Sequence, residues 1–260
     1  MDQSIKRACK IAAETIVAAA GKVAVLTGAG ISVASGIPDF RSSQGLWARY
    51  DPMEYAEISS FKRDPEKVWT MLHEMLAVVE KARCNSAHEV LAGLEKKGLL
   101  KTVITQNIDG LHQSAGNCSV IEFHGTTRNL VCLKCGWRWV GFQLGEAETM
   151  PPRCHQCDAI MKPEVVFFGE QIPQAALDSA SGAAAGVEVM LVIGTSANVY
   201  PAADMPVLTK RGGGKVIEIN LEPTPLSAVV ADQTILGPAA AVLAEIEAVC
   251  DEILSERRLV

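Results

Sequence analysis

Residues 22–47, KVAVLTGAGISVASGIPDFRSSQGLW, limit what this chain can fold into more than any other stretch. They open on a short apolar run, 23–26, which reads as a buried strand of a parallel sheet. Gly28-Ala29-Gly30 follows, and then Ile31, Ser32 and Val33, which read as the first turn of a helix. A strand, a glycine turn and a helix N-terminus together form a phosphate site. The glycines let the backbone approach a pyrophosphate, and the helix end offers unpaired N–H groups and a positive dipole end. Gly-x-Gly alone describes a tight β–α turn equally well. Pro38-Asp39-Phe40-Arg41 then breaks the helix and sets an acid, a ring and a guanidinium beside the turn. Connections in α/β units usually span about 2–6 residues. A long polar loop ending at Trp47 is suited to closing over a ligand.

The rest of the chain alternates strands with helices. A helix is expected over 4–20, with Ile5, Ala8, Ala12, Ile16 and Ala19 on one stripe, Ser4 as its cap and Gly21 as its stop. Asp64-Pro65 opens another, to about Lys81, carrying Val68, Trp69, Leu72, Met75, Leu76 and Val79. That stripe reads as core, and its Trp and Met are also suited to lining a pocket. A helix from Asn85 or Ser86 ends near Gly98. Strands are expected over 101–105, 120–123, 187–193, 215–219 and 234–236, and a last helix over 239–254. This alternation implies a mainly parallel sheet covered on both faces. Ligands in such sheets sit outside the carboxyl ends of strands. Here those ends carry Gln106-Asn107-Ile108-Asp109, His124-Gly125, Gly194-Thr195-Ser196 and Asn220-Leu221-Glu222, as if sharing one crevice. The competing reading of Asn107 or Asp109 is a helix cap.

At 260 residues and 48% hydrophobic, the chain can build one large domain, or a large one with a smaller partner. No window approaches the roughly 18–20 apolar residues of a membrane span. The opening MDQSIKRACK contains acid and lacks an apolar run, so no signal peptide is expected. A net charge of −6 argues against a general nucleic-acid surface and would weakly attract lysine-rich tails. The expectation is a cytoplasmic monomer with no specific nucleic-acid or membrane partner.

Cys132-x-x-Cys135 and Cys154-x-x-Cys157 form two knuckles at a separation suited to a zinc ribbon. Four thiolates close a tetrahedral shell with no open position, so such a site is structural. The residues between the knuckles carry little apolar content, which makes a metal-stapled module physically sensible. A redox role for either pair is the alternative. Cys9, Cys84, Cys118 and Cys250 are taken as small core residues. Of the histidines, His73 and His88 fall on helices without an evident partner, and His155 lies inside the second knuckle. His124 ends a strand and precedes a glycine just before the metal module. An imidazole there is a natural general base near neutral pH.

These segments together resemble the sirtuins, the NAD-dependent protein-lysine deacylases, in their prokaryotic core-domain form. GAGISVASGIPDFRSSQGLW resembles their cofactor-binding segment, TQNIDGLHQSAG the nicotinamide pocket, and FHGT the segment of the catalytic histidine. The Cys₄ module is similar to the family's zinc ribbon, and KPEVVFFGE to its substrate strand. The resemblance covers nearly the whole chain in order. It implies an inverted Rossmann-like, mainly parallel α/β sheet with a small zinc-ribbon and helical module. The NAD-binding domain would comprise 1–40, 84–124 and 165–260, the cofactor loop and helical module 41–83, and the zinc ribbon 125–164.

The resemblance also implies roles. NAD would contact Gly28, Ala29, Gly30, Ser32, Pro38, Asp39, Phe40, Arg41 and Trp47. Further contacts would come from Gln106, Asn107, Ile108, Asp109, Gly194, Thr195, Ser196, Asn220, Leu221, Glu222 and Ala239. Asn107 and Asp109 would hold the nicotinamide carboxamide as the acyl oxygen of the substrate attacks the ribose. With nicotinamide gone, His124 would take a proton from a ribose hydroxyl so that the 2′ oxygen attacks the imidate, and water would complete the release of lysine and O-acyl-ADP-ribose. Val165, Val166, Phe167, Phe168 and Gly169 would receive the peptide, Val165 and Phe167 by strand addition, and Leu72 and Met75 would meet the acyl chain. Zn²⁺ would sit on Cys132, Cys135, Cys154 and Cys157. Asn198 departs from the valine common at its position, which bears only on packing around Thr195 and Ser196. The chain is expected to be little more than a catalytic core. The rival functions are protein mono-ADP-ribosyl transfer, which the same site could support, and a non-catalytic NAD-sensing or chromatin-binding module.

Overall fold

The structure, a computed structural model, describes residues 1–39 and 45–258. Its first helix, α1 (Gln3–Ala18), buries Cys9, Ala12, Ala13, Ile16 and Val17. Its cap is Asp2 rather than Ser4: the Asp2 carboxylate accepts from the Ser4 N–H at 3.2 Å. Strand β1 (Val23–Thr27) is buried at every position. The predicted helix after the glycine turn is a 3₁₀ helix, Ala29–Ser35. Helices α2 (Pro52–Tyr55), α3 (Ile58–Arg63) and α4 (Pro65–Lys81) follow, and Asp64 caps the last through the Lys67 N–H. Then come α5 (Ser86–Lys96), β2 (Thr102–Thr105), α6 (Leu111–Ala115), β3 (Val120–Glu122), β4 (Gly125–Val131), β5 (Arg138–Val140) and β6 (Lys162–Val165). The chain continues through α7 (Gln174–Ala185), β7 (Val189–Ile193), α8 (Met205–Arg211), β8 (Lys215–Asn220), α9 (Pro225–Val229), β9 (Gln233–Leu236) and α10 (Ala239–Arg258).

The large sheet runs β3-β2-β1-β7-β8-β9, with every pairing parallel. Alternate residues of β1 serve its two faces. Val23 and Val25 join a core with α1, α5 and α10, while Ala24 and Leu26 join one with α7 and α8. Strand order departs in opposite directions from β1 and β7, so the crevice at their carboxyl ends is the topological switch point. There the turns after β1 and β7 face each other.

A second sheet, β5-β4-β6, is antiparallel. Its core is shared with α4: Val68, Trp69, Leu72 and Leu76 pack with Leu130, Phe142 and Met161. The indole N–H of Trp69 donates to the Met161 carbonyl at 2.8 Å, so the helix and the cysteine-bearing sheet are tied by both apolar and polar contacts. No helix among the described residues is long and apolar enough to cross a membrane.

Cys9 and Cys250 are fully buried as expected, but Cys118 is exposed and Cys84 only half-buried. Both of these lie in connections next to helix ends, where no core reaches them. His88 has the partners that its sequence context did not reveal. It completes a capping box at α5, its Nδ1 accepting from the Asn85 N–H at 3.3 Å. Helices α7, α8 and α9 were not evident in the sequence. In α7, QAALDSASGAAA, small residues blur the apolar stripe on which periodicity depends.

Candidate active site

A cleft of about 1070 Å³ opens over the carboxyl ends of the parallel strands. Gly28, Ala29 and Gly30 form part of its wall, opposite Gly194, Thr195 and Ser196. These two turns explain the glycines directly. A Cβ on Gly28 would stand 2.7 Å from the Thr195 Cβ, and one on Gly30 would stand 2.8 Å from the Gly194 Cα. Gly194 itself has φ +60°, a backbone state that other residues rarely adopt. The Gly28 N–H donates to the Ile193 carbonyl at 3.1 Å, and that of Gly30 to the Gly194 carbonyl at 2.8 Å. The Ile31 N–H turns back to the Gly28 carbonyl. The glycine turn thus closes on its own chain as well as on the cleft.

The end of β2 supplies the most tightly held polar cluster. Gln106 Nε2 donates to the Thr195 hydroxyl at 2.9 Å. Asn107 is buried at 6% exposure, and its amide donates to the Gly28 carbonyl and the Ser32 hydroxyl, each at 3.1 Å. Ser32 donates in turn to Asp109 Oδ2 at 2.7 Å, and Asp109 Oδ1 accepts from the Leu111 N–H. Asp109 therefore also serves the start of α6, as the cap reading anticipated. Gln106, Asn107 and Ile108 line the cleft, whereas Ser32 and Asp109 stand behind them.

His124 lines the cleft from the β3–β4 junction. Its Nδ1 lies 3.0 Å from the Gln106 carbonyl oxygen. A carbonyl can only accept, so Nδ1 carries the proton and Nε2 keeps its lone pair. Burial lowers the His124 pKa, and the Gln106 bond partly opposes that shift. Burial thus favours the neutral ring.

Val165, Val166, Phe167, Phe168 and Gly169 line the neighbouring wall, with Leu72 and Met75 from α4. This strand end is braced internally. Buried Lys162 donates to the Val165 carbonyl at 2.6 Å, pairs with Glu170 at 2.8 Å and sits 4.3 Å from the Phe167 ring centroid. Glu170 also accepts the Phe167 N–H at 2.8 Å. The Val165 carbonyl and the Phe167 N–H are thus both engaged within the chain.

At the far end, Asn220 Nδ2 donates to the Thr195 carbonyl at 2.9 Å, joining β8 to the β7 turn. Asn220, Leu221, Glu222 and Ala239 line the cleft, as do Asp39 and Trp47, whereas Pro38 does not. Phe40 and Arg41 lie outside the described residues. Lining residues missed from the sequence include Met71, Ile172, Leu177, Tyr200 and Pro225. Met71 lies on α4, a helix the sequence predicts. Ile172 and Leu177 belong to the unrecognised α7 region, and only their closeness to KPEVVFFGE could have pointed to them.

The four knuckle cysteines meet between β4, β5 and β6. Their sulfurs all lie within 4.8 Å of one another, with Cys132–Cys157 and Cys135–Cys154 each at 3.5 Å. Zinc–sulfur bonds of about 2.3 Å require tetrahedron edges of about 3.8 Å. The set fits a Zn²⁺ ion with small adjustment. His155 packs tilted against Trp137 and edge-on against Trp139, with ring centroids 5.1 and 5.2 Å apart.

Comparison with known proteins agrees with this arrangement. The profile of the Sir2 family matches residues 28–201. An NAD-dependent protein deacylase of Thermococcus kodakarensis is 43% identical over 89% of this chain and 91% of its own. The NAD-dependent protein deacylase 2 of Archaeoglobus fulgidus is 42% identical over 99% of this chain and 100% of its own. Among solved structures, a Sir2 homolog–NAD complex superposes with a TM-score of 0.82 at 42% identity, covering 89% of this chain and 90% of that one. A Sir2 homologue S24A mutant–ADP ribose complex gives 0.86 at 38% identity, with 98% of each chain covered. The chain belongs to the Sir2 family.

Proposed function

We propose that this chain removes acetyl and longer uncharged acyl groups from protein lysines, consuming NAD and releasing nicotinamide and O-acyl-ADP-ribose. Its class is that of an NAD-dependent protein deacylase, as family membership and the relatives' names support. The observation that carries the reading is one cleft lined together by the glycine turn, Asn107, His124 and the 165–169 strand end.

NAD supplies an activated ribose from which nicotinamide departs. The residues of the chain do the rest. Gly28–Gly30 and Gly194–Ser196 form the narrow wall suited to the pyrophosphate, and Asn220–Glu222 with Ala239 the adenosine end. Asn107 and Ile108 present the nicotinamide side, with Asp109 holding Ser32 and the start of α6 behind them. His124 offers Nε2 as a base for a hydroxyl proton, its ring fixed by Gln106. The 165–169 segment receives the peptide by strand addition, and Leu72, Met75 and Phe168 border the acyl chain. Phe40 and Arg41 remain candidates for the cofactor loop on the resemblance alone. Residues 1–40, 84–124 and 165–260 are proposed as the NAD-binding unit, 41–83 as the loop and helical module, and 125–164 as a zinc ribbon held by its four cysteines. The proposed setting is cytoplasmic, as a monomer without nucleic-acid or membrane partners.

The test is incubation with NAD and a panel of acylated peptides, following peptide mass and free nicotinamide together. Equimolar deacylated peptide and nicotinamide are expected. A peptide that gains the mass of ADP-ribose instead would replace this reading with mono-ADP-ribosyl transfer.

A further inference from the structure

Behind the Asn107 cluster lies a buried histidine that no step of the proposed reaction uses. His112, on α6, is 1% exposed. Its Nε2 lies 2.9 Å from the Thr27 hydroxyl at the end of β1. That hydroxyl lies 2.9 Å from the Thr105 hydroxyl at the end of β2, which accepts the Asn107 N–H at 3.1 Å. On the other side, the Asn117 N–H donates to the His112 carbonyl, and Asn117 Nδ2 donates to Glu95 at 2.6 Å.

Two buried side-chain atoms in the described residues have no hydrogen-bond partner: His112 Nδ1 and Asn117 Oδ1. Leaving either unpaired in the interior is costly. They are chemically complementary, on two residues joined by the 3.0 Å bond from the Asn117 N–H to the His112 carbonyl. Asn117 is also the one hydrogen-bonding influence on the His112 titration. If Nδ1 carries the ring proton, it donates to Asn117 Oδ1 and both vacancies close. Nε2 must then accept, so the single Thr27 proton is committed to His112. The Thr105 hydroxyl therefore donates to Thr27, and its oxygen is left to receive the Asn107 N–H.

We propose that His112 is a positioning residue for Asn107. Held as the neutral Nδ1–H tautomer by Asn117, it sets the direction of a hydrogen-bond chain from Glu95 through Asn117, His112, Thr27 and Thr105 to the Asn107 backbone. The inference rests on the deacylase reading only in giving Asn107 a task. The charged and titratable groups around the ring are His88 on α5, whose ring centroid is 4.9 Å away, Glu95 beyond Asn117, and Asp109 beyond Ser32. Burial, with His88 adding to it, pushes His112 down to about 3. His88 carries the opposite tautomer, since its Nδ1 accepts from Asn85. A protonated His112 would make Nε2 a donor and reverse the chain at Thr27.

The experiment joins a spectrum to kinetics on the full chain. Long-range ¹H–¹⁵N correlation of the histidine rings, with His112→Gln for assignment, reads the tautomer. The Nδ1–H pattern, unchanged from pH 6 to 8, is expected, and an Nε2–H pattern overturns the proposal. Nicotinamide release at saturating NAD is then compared across variants. His112→Phe should lower kcat on the order of tenfold, with peptide KM within about twofold. His112→Gln can donate to Asn117 and accept from Thr27 through one amide, and should recover most of that loss. Asn117→Asp adds a carboxylate beside the ring, raises its pKa, and should create a new loss of activity as pH falls that the wild type lacks. A wild-type pH profile in Asn117→Asp would overturn the proposal even if His112→Phe did not fold, and so would a His112→Gln no faster than a folded His112→Phe. A wild-type chain that releases no nicotinamide would sink the deacylase reading, leaving the spectrum to decide the chain's direction.

Discussion

The Nδ1 of His124 lies 3.0 Å from the backbone carbonyl oxygen of Gln106, so the end of β2 fixes the tautomer of a ring mounted after β3. Two adjacent parallel strands thus set the His124 ring and the Asn107 cluster in one frame. His124→Ala should leave the fold and metal content unchanged while lowering deacetylation by at least ~10²-fold. Circular dichroism, zinc content and peptide turnover check this together. Turnover near wild type would remove His124 from the chemistry.

The Cys132–Cys157 and Cys135–Cys154 sulfur pairs, each at 3.5 Å, bring the ends of one small sheet together. Structural zinc supplies folding free energy to such a module. Cys154→Ser should abolish stoichiometric zinc and lower the melting temperature. Because α4 shares the core of this sheet through Trp69 and Met161, peptide turnover should fall as well. A metal-free variant of full stability would exclude a structural role for the ion.

Lys162 is nearly enclosed, its side chain only 3% exposed, while its partner Glu170 is 23% exposed. Burial lowers the lysine pKa and the Glu170 charge opposes that. Lys162→Met would leave Glu170 without its cation and free the Val165 carbonyl. A loss of about 1–2 kcal/mol is expected, smaller than for a fully buried pair because Glu170 reaches solvent. Peptide KM should rise with NAD KM little changed. Equal rises in both would mean that the brace does not act on the peptide side.

His112 and His88 both have lowered pKa values, through burial first. The unfolded chain therefore binds more protons than the native one below about pH 6.5. Stability from these rings is complete above that pH and declines as pH falls towards the lowered native values. Each such ring contributes a slope of about 1.4 kcal/mol per pH unit. Urea midpoints at pH 7, 6 and 5 should fall progressively, and His112→Gln should flatten the decline. An equal decline in that variant would assign it to other groups.

The parallel sheet was legible because its strands are short apolar runs followed by polar ends, as in VAVLT before Gly28 and TVIT before Gln106. Its crevice followed from the rule that ligands meet those ends. The knuckles were legible from spacing alone. The buried partners were not. His88 meets Ser32 across 56 positions and His112 meets Thr27 across 85, contacts made by folding and announced by no periodicity. Helix α7 was hidden by its alanine-rich composition, and with it Ile172 and Leu177 on the cleft wall. The packing of the glycine turn against Gly194 and Thr195 is a contact between two strand ends that only the sheet order brings together.

Acyl preference follows from the α4 wall. Leu72, 1% exposed, and half-buried Met75 both line the cleft, with Met71 beside them. Their spacing of three places Leu72 and Met75 on one helical face. Neither can donate a hydrogen bond. An acyl carboxylate entering there would lose its water without gaining a cation, at a cost of roughly several kcal/mol. An acetyl or butyryl group meets no such penalty, and the flexible thioether of Met75 can adjust to added methylenes. One peptide carrying acetyl-, butyryl- or succinyl-lysine should therefore show comparable kcat/KM for the first two and a loss of at least about tenfold for the third. Leu72→Arg, which offers a bidentate partner for a carboxylate, should narrow that gap. Wild-type turnover of the succinyl peptide matching the acetyl one would mean that the acyl chain meets a cation elsewhere, and that this face of α4 does not set the preference.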